Sequence, residues 1–326
     1  MTETLATRKP LTGYHLKLIA LATMILDHTT AALFPQFWFL RGIGRMAFPI
    51  YAFLIAEGCR YTRDRFQYAM RLGLFALISE IPYDLALHPD ILEQSGWGWN
   101  FVGRTNVFYT MFFAVSAIYI FETLRRQPRK GQLAGILVAL VYSFAFSPLN
   151  LMISAGVATW TQVWPVMRGL HVIYTPALLL VCRWLEKRSG KDKWAKPGWG
   201  SNLLALLPLI FLSFLPGNLT TDYGTLGFAL ICFIYLAKNR RWQCGILAVG
   251  MLYQYAWPPA RAIFLQGSTT INIPYVLARV FFALLSAALI YFAYNGQRGK
   301  KAKWGFYAAY PAHLAILAAI RAVLKV

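Results

Sequence analysis

Long apolar runs, each about the length of a membrane-crossing helix, return along almost the entire chain. The candidate cores are Leu18–Phe34, Ile43–Cys59, Phe66–Leu87, Asn106–Leu124, Leu133–Phe146, Val166–Trp184, Leu203–Leu215, Tyr223–Leu236, Cys244–Trp257, Ile273–Phe292 and Trp304–Val323. A helix needs about 20 mostly apolar residues to cross a bilayer. The spacing therefore predicts about eleven spans, within 10–12, and the interrupted stretch Leu149–Pro165 is a candidate twelfth or a re-entrant piece. Only 13% of the residues are charged and 58% are hydrophobic, whereas a soluble domain carries about 25% charge. Disorder and an ordinary soluble enzyme or DNA-binding domain are excluded. The expected fold is an all-α polytopic transmembrane helical bundle. It forms a single integral-membrane domain over residues 1–326 with a short cytoplasmic N-terminal segment, 1–15.

The formal net charge of +20 then needs a location. Basic clusters fall at Arg60, Arg63, Arg65 and Arg71, at Arg125–Lys130, at Arg183–Lys196, at Lys238–Arg241 and at Arg298–Lys303. With Arg8, Lys9 and Lys17 they hold 24 of the 32 Lys and Arg residues. They lie between alternate pairs of spans, which is the positive-inside pattern. The N-terminus is expected in the cytoplasm and, with eleven spans, the C-terminus in the periplasm. No cleaved signal peptide is expected, because the first apolar run reads as the first span. The basic residues punctuate helices rather than forming one face, so they suit lipid contact and orientation, with no nucleic-acid partner. Cys59, Cys182, Cys232 and Cys244 show no metal or redox spacing and read as small buried residues.

The chemistry should lie among ionisable groups inside spans, where charge is costly and faces a bundle interior or a cavity. Asp27 and His28 are adjacent in the far half of the first span, about 100° apart on a helix. Arg41 and Arg45 stand at the entrance to the second, and Glu57 and Arg60 close it. Glu80 and Asp84 share one face of the third, around Pro82, which should kink it. Arg45 is a candidate partner for either carboxylate. Asn106, Tyr109 and Thr110 open the fourth span, and Asp222-Tyr223-Gly224 opens the eighth. Tyr310-Pro311-Ala312-His313 is expected to interrupt the last. An imidazole inside a membrane segment is a candidate general base, oriented by a carboxylate that need not be Asp27. His15 and His88 read as interfacial and His171 as a packed polar contact. No metal site is predicted, since no zinc-binding spacing is present.

Several of these motifs, in this order, resemble the TraX family, the F-pilin N-acetylase type. They are His15-Leu16-Lys17 with Met24-Ile25-Leu26-Asp27-His28, Gly42-Ile43-Gly44-Arg45 with Phe48-Pro49, and Glu57-Gly58. Thr62-Arg63-Asp64-Arg65, Arg71-Leu72, Ser79-Glu80-Ile81-Pro82-Tyr83-Asp84, Asn106 to Thr110, Asp222-Tyr223-Gly224 and Tyr310-Pro311-Ala312-His313-Leu314 complete the set. The resemblance implies a multi-pass protein of the bacterial inner membrane. It implies an acetyl-CoA-dependent N-acyltransferase that places an acetyl group on an amine, in the prototype the N-terminus of a pilin subunit. Acetyl-CoA and a pilin-like peptide or other amine are thus the expected partners, beside membrane lipids. Similar membrane acyltransferases act on glycans or small molecules, which keeps that acceptor class open.

On this reading His28 is the expected base, with Glu80 or Asp84 orienting it beside Asp27. Arg45 would stabilise negative charge or bind the donor, and Tyr310 and His313 would form another wall. Glu57, Arg60, Arg63, Arg65 and Asn106 are the expected donor-binding set, the arginines holding CoA phosphates. Two other classes fit the same residues. Many spans with buried charge suit a secondary transporter, although no matching pair of interrupted spans appears in the two halves. An assembly partner without catalysis would bind a pilin or an export component.

Overall fold

The computed structural model describes residues 9–88, 104–130, 132–133, 135–137, 141, 155–156, 160–189, 196–218 and 221–324. Among them eleven helices follow in order: α1 (Gly13–Leu33), α2 (Trp38–Gly44), α3 (Ala47–Tyr61), α4 (Arg65–Leu87), α5 (Val107–Leu124), α6 (Trp160–Ser189), α7 (Trp199–Asn218), α8 (Gly224–Leu236), α9 (Arg240–Gln266), α10 (Ile273–Ala293) and α11 (Lys303–Leu324). The fold is an all-α helical bundle. Ten of the eleven expected spans fall on these helices. The eleventh, Leu133–Phe146, and the stretch Leu149–Pro165 lie largely outside the described residues. Among the described residues, five segments are long and apolar enough to cross a membrane: Gly13–Leu33, Trp38–Tyr61, Val107–Leu124, Ile273–Ala293 and Lys303–Leu324.

Local chemistry sets the helix ends. Thr12 caps α1 in a capping box, its side-chain oxygen accepting from the His15 backbone N–H while the His15 ring accepts from that of Thr12. The next free N–H groups, of Gly13 and Tyr14, donate to the carbonyls of Gln297 (2.7 Å) and Arg298 (3.0 Å). The stretch before α1 is thereby fastened to the stretch after α10. Asn106 caps α5 and Asn272 caps α10, each accepting a backbone N–H at 3.0 Å. At the other ends, cations cover exposed carbonyls, where the helix dipole is negative. Arg60 donates to Ile234, Tyr235 and Ala237 at the end of α8. Arg321 donates to Ala86 near the end of α4 (2.9 Å), and Lys9 and Arg240 donate to Tyr291 and Tyr294 around the end of α10.

Both prolines, Pro82 and Pro311, lie inside helices that continue through them. α4 carries Pro82 within its length. The interruption expected at Pro311 is absent: α11 runs unbroken from Lys303 to Leu324. A membrane helix tolerates the missing proline N–H when neighbouring groups satisfy its carbonyls. One turn on, the His313 ring donates to the carbonyl of Ala309 (2.9 Å).

The chain forms two compact units. One comprises Met1–Arg60, Ile78–Pro89 and Phe233–Val326, the other Tyr61–Leu77 and Asp90–Cys232. In the first, α2 packs on α1 and α10, α9 on α10, and α11 on α1. Leu16, Ala20, Ile50, Phe53, Leu247, Ile290 and Leu314 fill its interior. In the second, α5 is the core helix, packed against α6 and α7.

Candidate functional site

The connection between α2 and α3 builds the first part of the site. The N–H groups of Arg45 and Met46 bond the carbonyls of Gly42 and Ile43, both at 3.1 Å, closing a tight turn instead of continuing the helix. Arg45 also donates from Nε to the carbonyl of Arg41 (3.2 Å). Its remaining reach is back toward α1, where it pairs with Asp27. Arg41 joins the same carboxylate at 3.4 Å. Two small residues permit this approach. A side chain at Gly44 would overlap Asp27, and one at Gly42 would stand 3.0 Å from the Ala278 methyl on α10. Arg45 therefore pairs with Asp27, while neither oxygen of Asp84 has a hydrogen-bond partner among the described residues.

His28 points elsewhere. Its Nδ1 lies 2.7 Å from Nε2 of His313 on α11. The two rings are nearly parallel, with centroids 5.0 Å apart. Tyr310, one turn before His313, meets both edge to face at 5.9 and 5.5 Å. Among the described residues Nε2 of His28 has no hydrogen-bond partner, and the residue is only half-buried. The ring partner of His28 is thus His313, and neither carboxylate of α4. An aspartate adjacent on the same helix faces away from it, so Asp27 is free to serve the arginines.

The remaining expected residues separate. Glu57 accepts from the Tyr294 hydroxyl at 2.5 Å, and the Arg240 guanidinium lies over the Tyr294 ring at 4.9 Å. Arg60 is the cap on α8 described above. Glu80 is buried, as is Asp84 at 2% exposure, and neither oxygen of Asp84 has a hydrogen-bond partner among the described residues.

In the second unit, Arg63 is exposed, and Asp64 between Arg63 and Arg65 pairs with Arg183 at 3.0 Å. Asn106 is fully buried and donates to the Ala76 carbonyl (2.8 Å). Thr110 contacts the Thr221 hydroxyl and the Asp222 carbonyl, beside Tyr223, whose positive φ of 65° marks a tight turn. Asn106 and Thr110 therefore tie the start of α5 to neighbouring backbone.

Sequence reasoning did not single out Tyr294 or Thr221, and it read Arg240 only as one of a basic cluster that sets orientation. Each acts through a contact between segments far apart in the chain. Among the described residues no group of three or more His, Cys, Asp or Glu is placed to hold a metal ion.

The fold and these groups define an α-helical membrane protein with a histidine pair and an Arg–Asp–Arg cluster built into one packed unit. The chain belongs to the TraX family: the family model described as TraX protein matches residues 12–185 and 168–321. It is also similar to a probable fimbrial assembly protein FimC, serogroup H1, of Dichelobacter nodosus, with 26% identity over 141 residues. That match covers 42% of this chain and 54% of the relative, so the chain spans about half the length of the curated relative it matches. No solved structure matches.

Proposed function

We propose that this protein is a membrane-embedded acetyltransferase that moves an acetyl group from acetyl-CoA to an amine, the N-terminus of a pilin-like protein being the acceptor that family and relative favour. The observation that carries the reading is the half-buried His28 ring. One of its nitrogens is engaged by His313, and the other has no partner among the described residues. Such a ring suits a general base.

In the proposed reaction the neutral amine attacks the thioester carbonyl carbon, and His28 takes the amine proton. The C–N bond forms, the C–S bond breaks, and the CoA thiolate leaves with the proton from His28. The oxyanion that develops in between needs positive charge nearby. Arg41 and Arg45 bring two cations to the single carboxylate of Asp27, so this three-residue cluster beside His28 carries one excess positive charge, on its guanidiniums. Tyr310 packs against the base and fixes its surroundings. Arg63 and Arg65, in the second unit, carry the phosphate-binding role that the family resemblance implies. Arg60 is left out of that role because it caps α8. Glu80 and the unpartnered Asp84 are assigned to capture of the acceptor N-terminus as an ammonium, before it loses a proton to become the attacking amine.

The family favours the bacterial inner membrane, the basic loops favour a cytoplasmic N-terminus, and eleven spans would put the C-terminus in the periplasm. Mass spectrometry of membrane and surface extracts, with and without the gene, tests this function. The expected result is a protein N-terminus that carries an acetyl group only when the gene is present. An identical set of acetylated amines in both extracts contradicts it.

A further inference from the structure

We infer that His313 is a positioning residue that fixes the tautomer of His28, so that Nε2 of His28, and not Nδ1, is the atom that takes the proton; this rests on the acetyltransferase reading for its catalytic meaning but not for its geometry.

The argument runs outward from a main-chain oxygen. Nδ1 of His313 lies 2.9 Å from the Ala309 carbonyl. A carbonyl only accepts, so Nδ1 of His313 carries the hydrogen. In a neutral imidazole the other nitrogen is then a lone-pair acceptor. Nε2 of His313 is that acceptor, and it faces Nδ1 of His28 at 2.7 Å. Nδ1 of His28 must therefore donate, which leaves the lone pair of the neutral ring on Nε2. That is the nitrogen without a hydrogen-bond partner among the described residues.

The order is Ala309 carbonyl, His313, His28, open lone pair, and it starts from one backbone group on a rigid helix. Pro311 lies inside the same turn of α11, between Ala309 and His313. When His28 gains a proton on Nε2, its Nδ1–H bond to His313 becomes charge-assisted and stronger. A neutral imidazole thus takes the place behind the base that a carboxylate often holds. The neighbouring carboxylate, Asp27, is occupied by two arginines.

Nitrogen-15 NMR of the full-length protein, labelled at histidine and reconstituted in lipid, reads this directly. The chain has five histidines, and His28→Asn and His313→Gln assign the two signals. The expected spectrum shows a protonated Nδ1 and a lone-pair Nε2 on His28. It also shows a coupling from His28 Nδ1 to His313 Nε2 across the hydrogen bond. A protonated Nε2 with a lone-pair Nδ1 on neutral His28 overturns the inference.

Kinetics give the second arm. His313→Gln keeps an acceptor oxygen where Nε2 faces His28, and should stay within about tenfold of wild-type kcat. His313→Leu keeps the bulk, loses the acceptor, and should lower kcat about 100-fold with KM unchanged. Equal kcat for wild type and a folded His313→Leu also overturns it. The expected NMR spectrum in a protein that transfers no acetyl group would leave the tautomer assignment intact and refute the function.

Discussion

Asp27 and His28 are neighbours in sequence, yet they serve different partners: Asp27 pairs with Arg45 across the α1–α2 contact, and His28 pairs with His313 on α11. One helix turn position thus divides a structural ion pair from a candidate base. The division makes the two residues separable by mutation.

Removing one member of the ion pair should cost more than removing both. Arg45→Ala leaves Asp27 with the longer Arg41 contact only, at side-chain exposure of 13%. A partly buried charge losing its main partner costs about 3–5 kcal/mol. Thermal unfolding in detergent should show a large loss for Arg45→Ala and a smaller one for Asp27→Leu/Arg45→Leu. Equal losses would mean that the pair does not hold α1 to α2.

The close approach at Gly44 predicts a strong response to a single methyl group. Gly44→Ala places that methyl into Asp27, whereas Gly245→Ala on α9 meets nothing within 4 Å. Overpacking costs about 1–3 kcal/mol. The first variant should unfold at a clearly lower temperature than wild type, and the second at the same temperature or higher.

Arg60 and Arg63 should fail in different ways. Arg60→Gln removes a cation from the carbonyls at the end of α8, and hydrogen bonds from charged groups are worth about 1.5–3 kcal/mol. It should lower stability and leave the KM for acetyl-CoA near wild type. Arg63→Gln, at an exposed position, should leave stability unchanged and raise that KM. The reverse pattern would place the phosphates on Arg60.

Asp84 offers a test of function against stability. Neither of its oxygens has a hydrogen-bond partner among the described residues. An unsatisfied buried polar group costs about 1–3 kcal/mol, more when charged. Asp84→Leu should therefore be at least as stable as wild type while its KM for the amine acceptor rises. A destabilised Asp84→Leu with normal acceptor KM would make Asp84 a structural group.

The helices were legible in the sequence because a bilayer imposes a length and a composition that single residues cannot hide. The partners of the charged groups were less so. Arg45 finds Asp27 because Gly42 and Gly44 let α2 approach its neighbours, and that geometry has no periodic signature. His28 finds His313 across 285 positions, although the helix geometry of adjacent residues already argued against Asp27 as its partner. Pro311 misled for a physical reason: a proline that breaks a helix in water is accommodated inside a packed membrane helix. Glu57 with Tyr294 joins two helix ends whose meeting no motif records.

The most direct measurement is thiol release from acetyl-CoA by the full-length protein in liposomes, with and without a peptide bearing a free N-terminal amine, for wild type and His28→Ala. The account predicts amine-dependent thiol release with acetylated peptide as product for wild type, and loss of about 100-fold or more in a folded His28→Ala protein. A His28→Ala protein with full activity, or a wild type that consumes no acetyl-CoA with any amine peptide, would contradict it.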